Sequence, residues 1–216
     1  MKVFLTGASG FIGTAVARGF ARAGHEVYGL ARTPEKAARV AALEAIPVLG
    51  SMDDPKSYAA AAGQCDVLVH AAAENSPRYF DLDRRTIDSL LGLVRGGPVR
   101  RLIYTSGCWV CGPSGGSAVD EDTPPNPLPF LAPRAEHERI VLEAGRSGGA
   151  LHTLVIRPGC VYGGPGGLTA SWFQSAVGEG AARLVGDGTN HWAMIHRDDL
   201  GELYLRAAQS TLSGRV

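Results

Sequence analysis

The sequence predicts a doubly wound α/β fold, one parallel sheet with helices on both faces. Three observations predict it. Short β-branched apolar runs alternate with longer Ala-, Arg- and Leu-rich stretches, and a glycine-rich turn joins the first run to the first helical stretch. The chain has 216 residues, enough for one well-filled α/β core and few for two independent ones. Lys2 to Thr6, Glu26 to Ala31, Ile46 to Leu49, Asp66 to His70, Arg101 to Thr105 and His152 to Arg157 read as strands. Buried on both faces, such strands are apolar throughout rather than alternating. Helices are expected near 11–23, 34–44, 55–62, 80–95 and 134–146, with Pro34 and Pro55 at helix-start positions. Gly112 to Pro133 reads as a long Pro-, Gly- and Ser-rich loop of the kind that carries function. A second glycine-rich loop, Gly159 to Gly167, precedes a helical Leu168 to Val177, a short Arg183 to Val185 run and a helix over Asp198 to Ala208.

Charge and composition exclude several classes of function. Lys+Arg and Asp+Glu both number 21, giving no net charge, and no basic run invites a polyanion. Nucleic acid is therefore not an expected partner. No apolar run approaches the ~20 residues that cross a bilayer, and Met1 enters directly into a strand without the features of a signal peptide. A cytoplasmic protein without membrane contact is expected. Cys65, Cys108, Cys111 and Cys160 lack the spacing of a disulfide framework. Cys108 and Cys111 form a lone CxxC with no second pair or His cluster to complete a metal shell, so no metal is expected and the thiols read as small core residues.

The strongest local signal is Thr6-Gly7-Ala8-Ser9-Gly10-Phe11-Ile12-Gly13, placed where a pyrophosphate meets a helix N-terminus. Gly7 permits the tight turn, Gly10 lets backbone approach phosphate, and Gly13 lets helix and strand pack closely. Ser9, Phe11 and Ile12 fall in the same turn.

This octet resembles the TGxxGxxG signature of the extended short-chain dehydrogenase/reductases. The likeness continues through His70-Ala71-Ala72, Tyr104-Thr105-Ser106, Arg157-Pro158-Gly159-Cys160-Val161-Tyr162-Gly163 and His196-Arg197-Asp198-Asp199-Leu200, so it covers essentially the whole chain. It implies a Rossmann NAD(P)-binding core over 1–157 and a partial substrate-side region, 158–216, packed on the same domain. Members of that group usually continue beyond the point that matches Gly214 to Val216. The resemblance also implies a small-molecule substrate and places His70, Ala71, Ala72, Pro158 and Gly159 beside the cofactor. A homodimer is the assembly to consider.

The second strand ends Gly29-Leu30-Ala31-Arg32, with no acid to chelate ribose hydroxyls. A guanidinium pairs with a ribose 2′-phosphate that a carboxylate would repel, so NADP(H) is favoured over NAD(H), unless Arg32 is only a solvated loop charge. After the third strand, Ser51, Met52 and Asp53 occupy the family's loop over the adenine. Ser51 or Asp53 would meet the adenine amine and Met52 would add apolar contact; the alternative is that Asp53 and Asp54 cap the helix after Pro55.

At the reacting centre the sequence departs from the group it resembles. There a Tyr four residues before a Lys supplies the proton and a Ser polarises the carbonyl. The matching segment is Phe130 to Glu138, with Phe130 at the Tyr position and Arg134 at the Lys position. Phenylalanine carries no ionisable proton and arginine stays protonated, so the usual acid/base step cannot be carried over. The Ser position falls on Gly107, with Ser106 one place earlier, and neighbours on a strand point to opposite faces. The pattern is similar to atypical members with Tyr-Thr-Ser-Gly before a Trp. Arg134 would hold the nicotinamide ribose, or pair on the surface with Glu138 four residues on. Ser106, Arg134 and Tyr104 are the candidate catalytic residues, and Tyr104, His137, Tyr162 or water the candidate proton sources. Trp109, Trp172 and Trp192 are candidate pocket walls or core residues, and His196 reads as structural support for the last helix. The expectation is an NADP(H)-dependent oxidoreductase or epimerase-like enzyme acting on a small carbonyl, alcohol or nucleotide-sugar. The alternative is a non-enzymatic NADP(H)-binding sensor or partner-binding protein.

Overall fold

The structure, a computed structural model, describes residues 1–94, 97–147, 149–183 and 185–216. The first half alternates strictly: β1 (Lys2–Thr6), α1 (Phe11–Arg22), β2 (Glu26–Ala31), α2 (Pro34–Ala41), β3 (Ile46–Leu49), α3 (Lys56–Ala62), β4 (Val67–His70), α4 (Tyr79–Gly92) and β5 (Arg101–Thr105). After two short 3₁₀ turns, Cys108–Cys111 and Pro129–Leu131, come α5 (Ala132–Arg146), β6 (His152–Ile156), β7 (Cys160–Tyr162), α6 (Leu168–Glu179), β8 (Met194–His196), α7 (Arg197–Gln209) and β9 (Gly214–Arg215).

The main sheet runs β3-β2-β1-β4-β5-β6-β9 and every pairing in it is parallel. Strand order reverses between β1 and β4, which opens a crevice above their carboxyl ends. Alternation along β1 sends Val3 and Leu5 to one face and Phe4 to the other. Val3 and Leu5 join Val16, Phe20, Leu200 and Tyr204 in one core. Phe4 joins Tyr58, Leu68, Tyr104 and Val141 in the second. The expected fold class and all six expected strands are present, with Asp66 and Arg157 just outside their strands.

Local chemistry sets several boundaries. Pro34 opens α2, and the Thr33 hydroxyl caps it by accepting the Lys36 amide at 3.3 Å. At α7 the cap is His196 itself, whose Nδ1 accepts from the Asp198 amide at 3.3 Å. Asp198 and Asp199 lie in its first turn, where they face the positive end of the dipole. Helix α4 runs Tyr79–Gly92 rather than 80–95; Arg95, in the expected span, and Leu184, in the expected Arg183 to Val185 run, lie outside the described residues.

Two features have no counterpart in the expectations. Strand β9 extends the sheet beyond β6 (Leu154↔Gly214, Val155↔Arg215). Strands β7 and β8 form a separate parallel pair (Cys160↔Met194 to Tyr162↔His196). The residues after 157 thus return to the main core in two places, through β9 and through α7, which crosses α1 at Gly19 and Gly201.

Candidate active site

The glycine turn between β1 and α1 stands over the crevice. Gly7 has φ +75°, and a Cβ there would lie 2.7 Å from the Ala71 carbonyl oxygen. A Cβ on Gly13 would fall 2.0 Å from the Gly7 oxygen, so Gly13 lets the helix rest on its own turn. Gly10 differs: a Cβ there would meet only the Gly7 oxygen, at 3.1 Å, so its open side is the cleft. It is also the N-cap of α1 and offers no side-chain cap, and the first turn of that helix carries no acid. The leading amides and the dipole are thus left for an anion.

These residues border a cleft of about 290 Å³ with Ser9, Phe11, Ile12, Ala71, Ala72, Met52 and Arg32. The same cleft contains Lys36 and Glu74, which sequence reading did not single out. Arg32 Nη1 donates to Glu74 Oε2 at 3.3 Å. The Ser76 hydroxyl, 2.7 Å from Glu74, holds that carboxyl below the usual carboxylate range. Lys36 reaches the cleft because Pro34 and Thr33 start α2 just after β2, a geometry carried by the cap rather than by any motif.

The rest of the adenine loop is placed differently. Asp53 pairs with Arg78 at 3.2 Å and Ser51 Oγ accepts the Asp53 amide at 3.2 Å. Neither residue borders the cleft, whereas Met52 does. His70 and Gly13 also lie behind the surface. The His70 Nδ1 is 2.7 Å from the Thr6 hydroxyl, whose oxygen accepts the Ala72 amide at 3.3 Å. Its Nε2 lies 3.0 Å from Asp83 Oδ1. Asp83 Oδ2 accepts from His137 Nδ1 and from the Tyr104 hydroxyl, each at 2.7 Å. Burial acts to raise the Asp83 pKa, but His137, His70 and Tyr104 outweigh it and hold the carboxyl far below its usual range. Burial first, and the Asp83 charge second, drive the Tyr104 phenol well above its usual value. Tyr104 and His137 are therefore fastened inside the core and border none of the clefts described here.

Phe11 and Ile12 also border a second cleft of about 430 Å³, together with Ser106, Gly107, Arg134, Pro158 and Gly159. Ser106 and Gly107 both face it because the chain leaves the strand after Thr105: Gly107 has φ 178° and the next four residues wind into a 3₁₀ turn. The alternation that would hide one of the two ends with β5. Ser106 is 7% exposed and its hydroxyl has no protein partner.

Arg134 Nη1 donates to the Thr105 carbonyl at 3.3 Å, and Nη2 donates to the Tyr79 hydroxyl, with the guanidinium 5.1 Å from the Tyr79 ring centre. Burial lowers its pKa, partly offset by Glu138. The expected surface pair with Glu138 is replaced: Glu138 is fully buried against Arg157, with oxygen to nitrogen distances of 2.6–3.1 Å. Tyr79 went unnoticed in the sequence because its partner is 55 residues away. Phe130 lies outside this cleft, in the turn before α5, 60% exposed. Tyr162 is also exposed and packs edge-on against His196, 5.2 Å between ring centres. The four cysteines are free, and Cys108 and Cys160 border the second cleft. Among the described residues no group of His, Cys, Asp or Glu is arranged to hold a metal, and no helix is long and apolar enough to cross a membrane.

Residues 3–216 match the profile of the NAD dependent epimerase/dehydratase family. The chain belongs to this family. An uncharacterized protein of Schizosaccharomyces pombe is 30% identical over 220 residues, covering all of this chain and 73% of the relative. A 4-hydroxy-2-methyl-3-oxo-4-farnesyl-3,4-dihydroquinoline-1-oxide ketoreductase of Stigmatella aurantiaca is 29% identical, covering all of this chain and 67% of that protein. Among solved structures, a UDP-glucuronic acid 4-epimerase of Bacillus cereus, a point mutant in complex with NAD and a fluorinated UDP-sugar, superposes with a TM-score of 0.87. It is 20% identical over all of this chain and 76% of the other. This epimerase/dehydratase-family chain is thus an NAD(P)-dependent enzyme of the oxidoreductase and epimerase class with a small-molecule substrate. The uncapped α1 terminus and the open side of Gly10 fit its dinucleotide.

Proposed function

We propose that this family member is an NADP(H)-dependent reductase of a small carbonyl compound, with the reverse alcohol oxidation at the same site. The observation that carries the proposal is the Ser106 hydroxyl, buried and unpartnered in the cleft that Phe11 and Ile12 share with the glycine turn. A buried hydroxyl without a partner costs about 1–3 kcal/mol, a cost removed when a substrate carbonyl accepts its proton. The similarity to a ketoreductase supports reduction over epimerisation.

The amides of Phe11 and Ile12 would hold the pyrophosphate, and Arg32 with Lys36 a 2′-phosphate. The bound dinucleotide supplies or accepts the hydride at its nicotinamide ring. Ser106 donates to the carbonyl oxygen and stabilises the charge that develops there. Arg134 is a fixed cation at the cleft, a positioning group and not an acid. The proton comes from Tyr79 by way of a water, since the phenol itself borders neither cleft. Its oxygen accepts from Arg134, so its own hydrogen is left to donate, and the phenolate left behind stands against a guanidinium. Solvent reprotonates it. Tyr79 and Arg134 thus share, from two helices, the task of the single-helix Tyr-Lys pair.

The test is NADPH oxidation with a panel of aldehydes and ketones. Ser106→Ala and Tyr79→Phe are each expected to lower kcat about 100-fold with NADPH affinity unchanged. Full activity of Ser106→Ala would overturn the assignment.

A further inference from the structure

All three tryptophans of the chain stand together, and one of them, Trp109, borders the Ser106 cleft. Trp109 and Trp192 meet edge to face, 6.5 Å between ring centres at 70°. Trp172 lies 5.7 Å from Trp192 at 33°. Trp109 is the hinge of the arrangement: it borders the Ser106 cleft and also an outer cleft with Phe130, Leu128 and Trp192. Trp109 is 55% exposed and Phe130 60%. A side chain that large is costly to leave in water, so two aromatic faces beside a reacting serine form a surface complementary to a flat apolar group.

Charge points the same way. Among the described residues Arg134 is the only charged one bordering either cleft, and its guanidinium is already committed to Thr105 and Tyr79. Arg197 sits over the Phe11 ring, 5.8 Å from its centre, and borders a different depression. A nucleotide-sugar would bring a diphosphate to a wall of Trp, Phe, Leu and Pro that carries no free cation among the described residues. A dianion without a partner is rejected from such a surface, whereas an uncharged ring stacks on it.

We infer that the substrate of this chain is an uncharged planar aromatic carbonyl compound, its ring stacked on Trp109 between the two clefts and its carbonyl toward Ser106. This rests on the reductase proposed above for the direction of the carbonyl, and the stacking itself does not. It assigns Phe130 a place in the substrate wall instead of a vacated catalytic position.

The test uses intrinsic fluorescence, because every tryptophan of the chain reports on this one place. The full chain is titrated with 4′-nitroacetophenone, an uncharged aryl ketone whose nitro group quenches indole, with N-acetyltryptophanamide as the control for absorption and collision. Cyclohexanone and UDP-glucose are the non-aromatic and charged competitors. Saturable quenching in the protein and not in the control is expected, with neither competitor displacing the ketone. Trp109→Leu is expected to weaken it at least tenfold, read from Trp172 and Trp192, and Phe130→Ala to weaken it several-fold. Both positions are exposed, and an unchanged circular dichroism spectrum confirms that each variant is folded. Non-saturable quenching, displacement by UDP-glucose, or unchanged affinity in Trp109→Leu would overturn the inference. NADPH oxidation with the same ketone separates the two proposals. Saturable quenching without turnover removes the reductase and keeps the aromatic site, while turnover of aliphatic carbonyls without quenching does the reverse.

Discussion

At the end of β2 one arginine faces two possible partners. Arg32 is paired with Glu74 at 3.3 Å, yet it and Lys36 border the cleft proposed above for the adenosine end of a dinucleotide. A 2′-phosphate carries more charge than a carboxylate and binds a guanidinium bidentately, so it displaces Glu74 and gains Lys36 as well. NADPH is therefore expected to bind more tightly than NADH. Arg32→Ala should remove about 1.5–3 kcal/mol of that preference, read by titrating the two dinucleotides against parent and variant. Glu74→Gln, which frees Arg32, should strengthen NADPH binding and leave NADH unaffected. Equal NADH and NADPH affinities in the parent would refute the assignment. Residue identity alone could raise this expectation, since Arg32 is visible where an acid is absent. Glu74 and Lys36 could not be enlisted from sequence, because they meet Arg32 across separate elements.

At the level of elements, the packing of α7 on α1 decides how residues after 157 are anchored. A Cβ at Gly201 would lie 2.8 Å from the Ala15 carbonyl oxygen, and one at Gly19 would lie 3.3 Å from that of Gly201. Backbone faces backbone, and neither helix can retreat without uncovering Phe20 and Tyr204. Glycine inside a helix costs about 0.5–1 kcal/mol relative to alanine, so a local gain is expected of Gly201→Ala in isolation. The contact reverses the sign. Overpacking of this kind costs about 1–3 kcal/mol, and the variant is expected to unfold at lower denaturant than the parent. Higher stability in urea would show that the helices separate freely. Beyond α7, the buried Arg101 donates to the carbonyls of Ser210 and Leu212, holding the turn that feeds β9 onto the sheet edge.

Across the whole molecule, one buried carboxylate ties the two halves of the second core together. Asp83 on α4 is held by His70 of β4, Tyr104 of β5 and His137 of α5. Its pKa is depressed on folding, so the unfolded state binds the proton more tightly. The stabilisation is then complete above the ordinary carboxylate value, near pH 4, and is lost as pH falls below it. Acid unfolding of the parent is expected to steepen below about pH 4. Asp83→Leu should be less stable at pH 7 and show a shallower acid limb, measured by denaturation at a series of pH values. An unchanged acid limb would remove Asp83 from this role.

Much of this chain could be read before any contact was known, and the reason is physical. Strands buried on both faces need unbroken apolar runs, a phosphate turn needs glycine at fixed steps, and both requirements are local. Six strands and the turn from Gly7 to Gly13 were legible for that reason. Strand β9 was not, because two residues pair only where β6 leaves an open edge. Strand alternation could not decide whether Ser106 or Gly107 faces the cleft, because the chain stops being a strand at Thr105. Tyr79 meeting Arg134, the three tryptophans packing on one another, and Asp83 collecting two histidines and a tyrosine join residues far apart in the chain. Local periodicity carries no term for such meetings. The sequence by itself determined the sheet and the glycine turn. Which side chains stand in the site, and which are locked behind it, was decided only when the strands and helices packed.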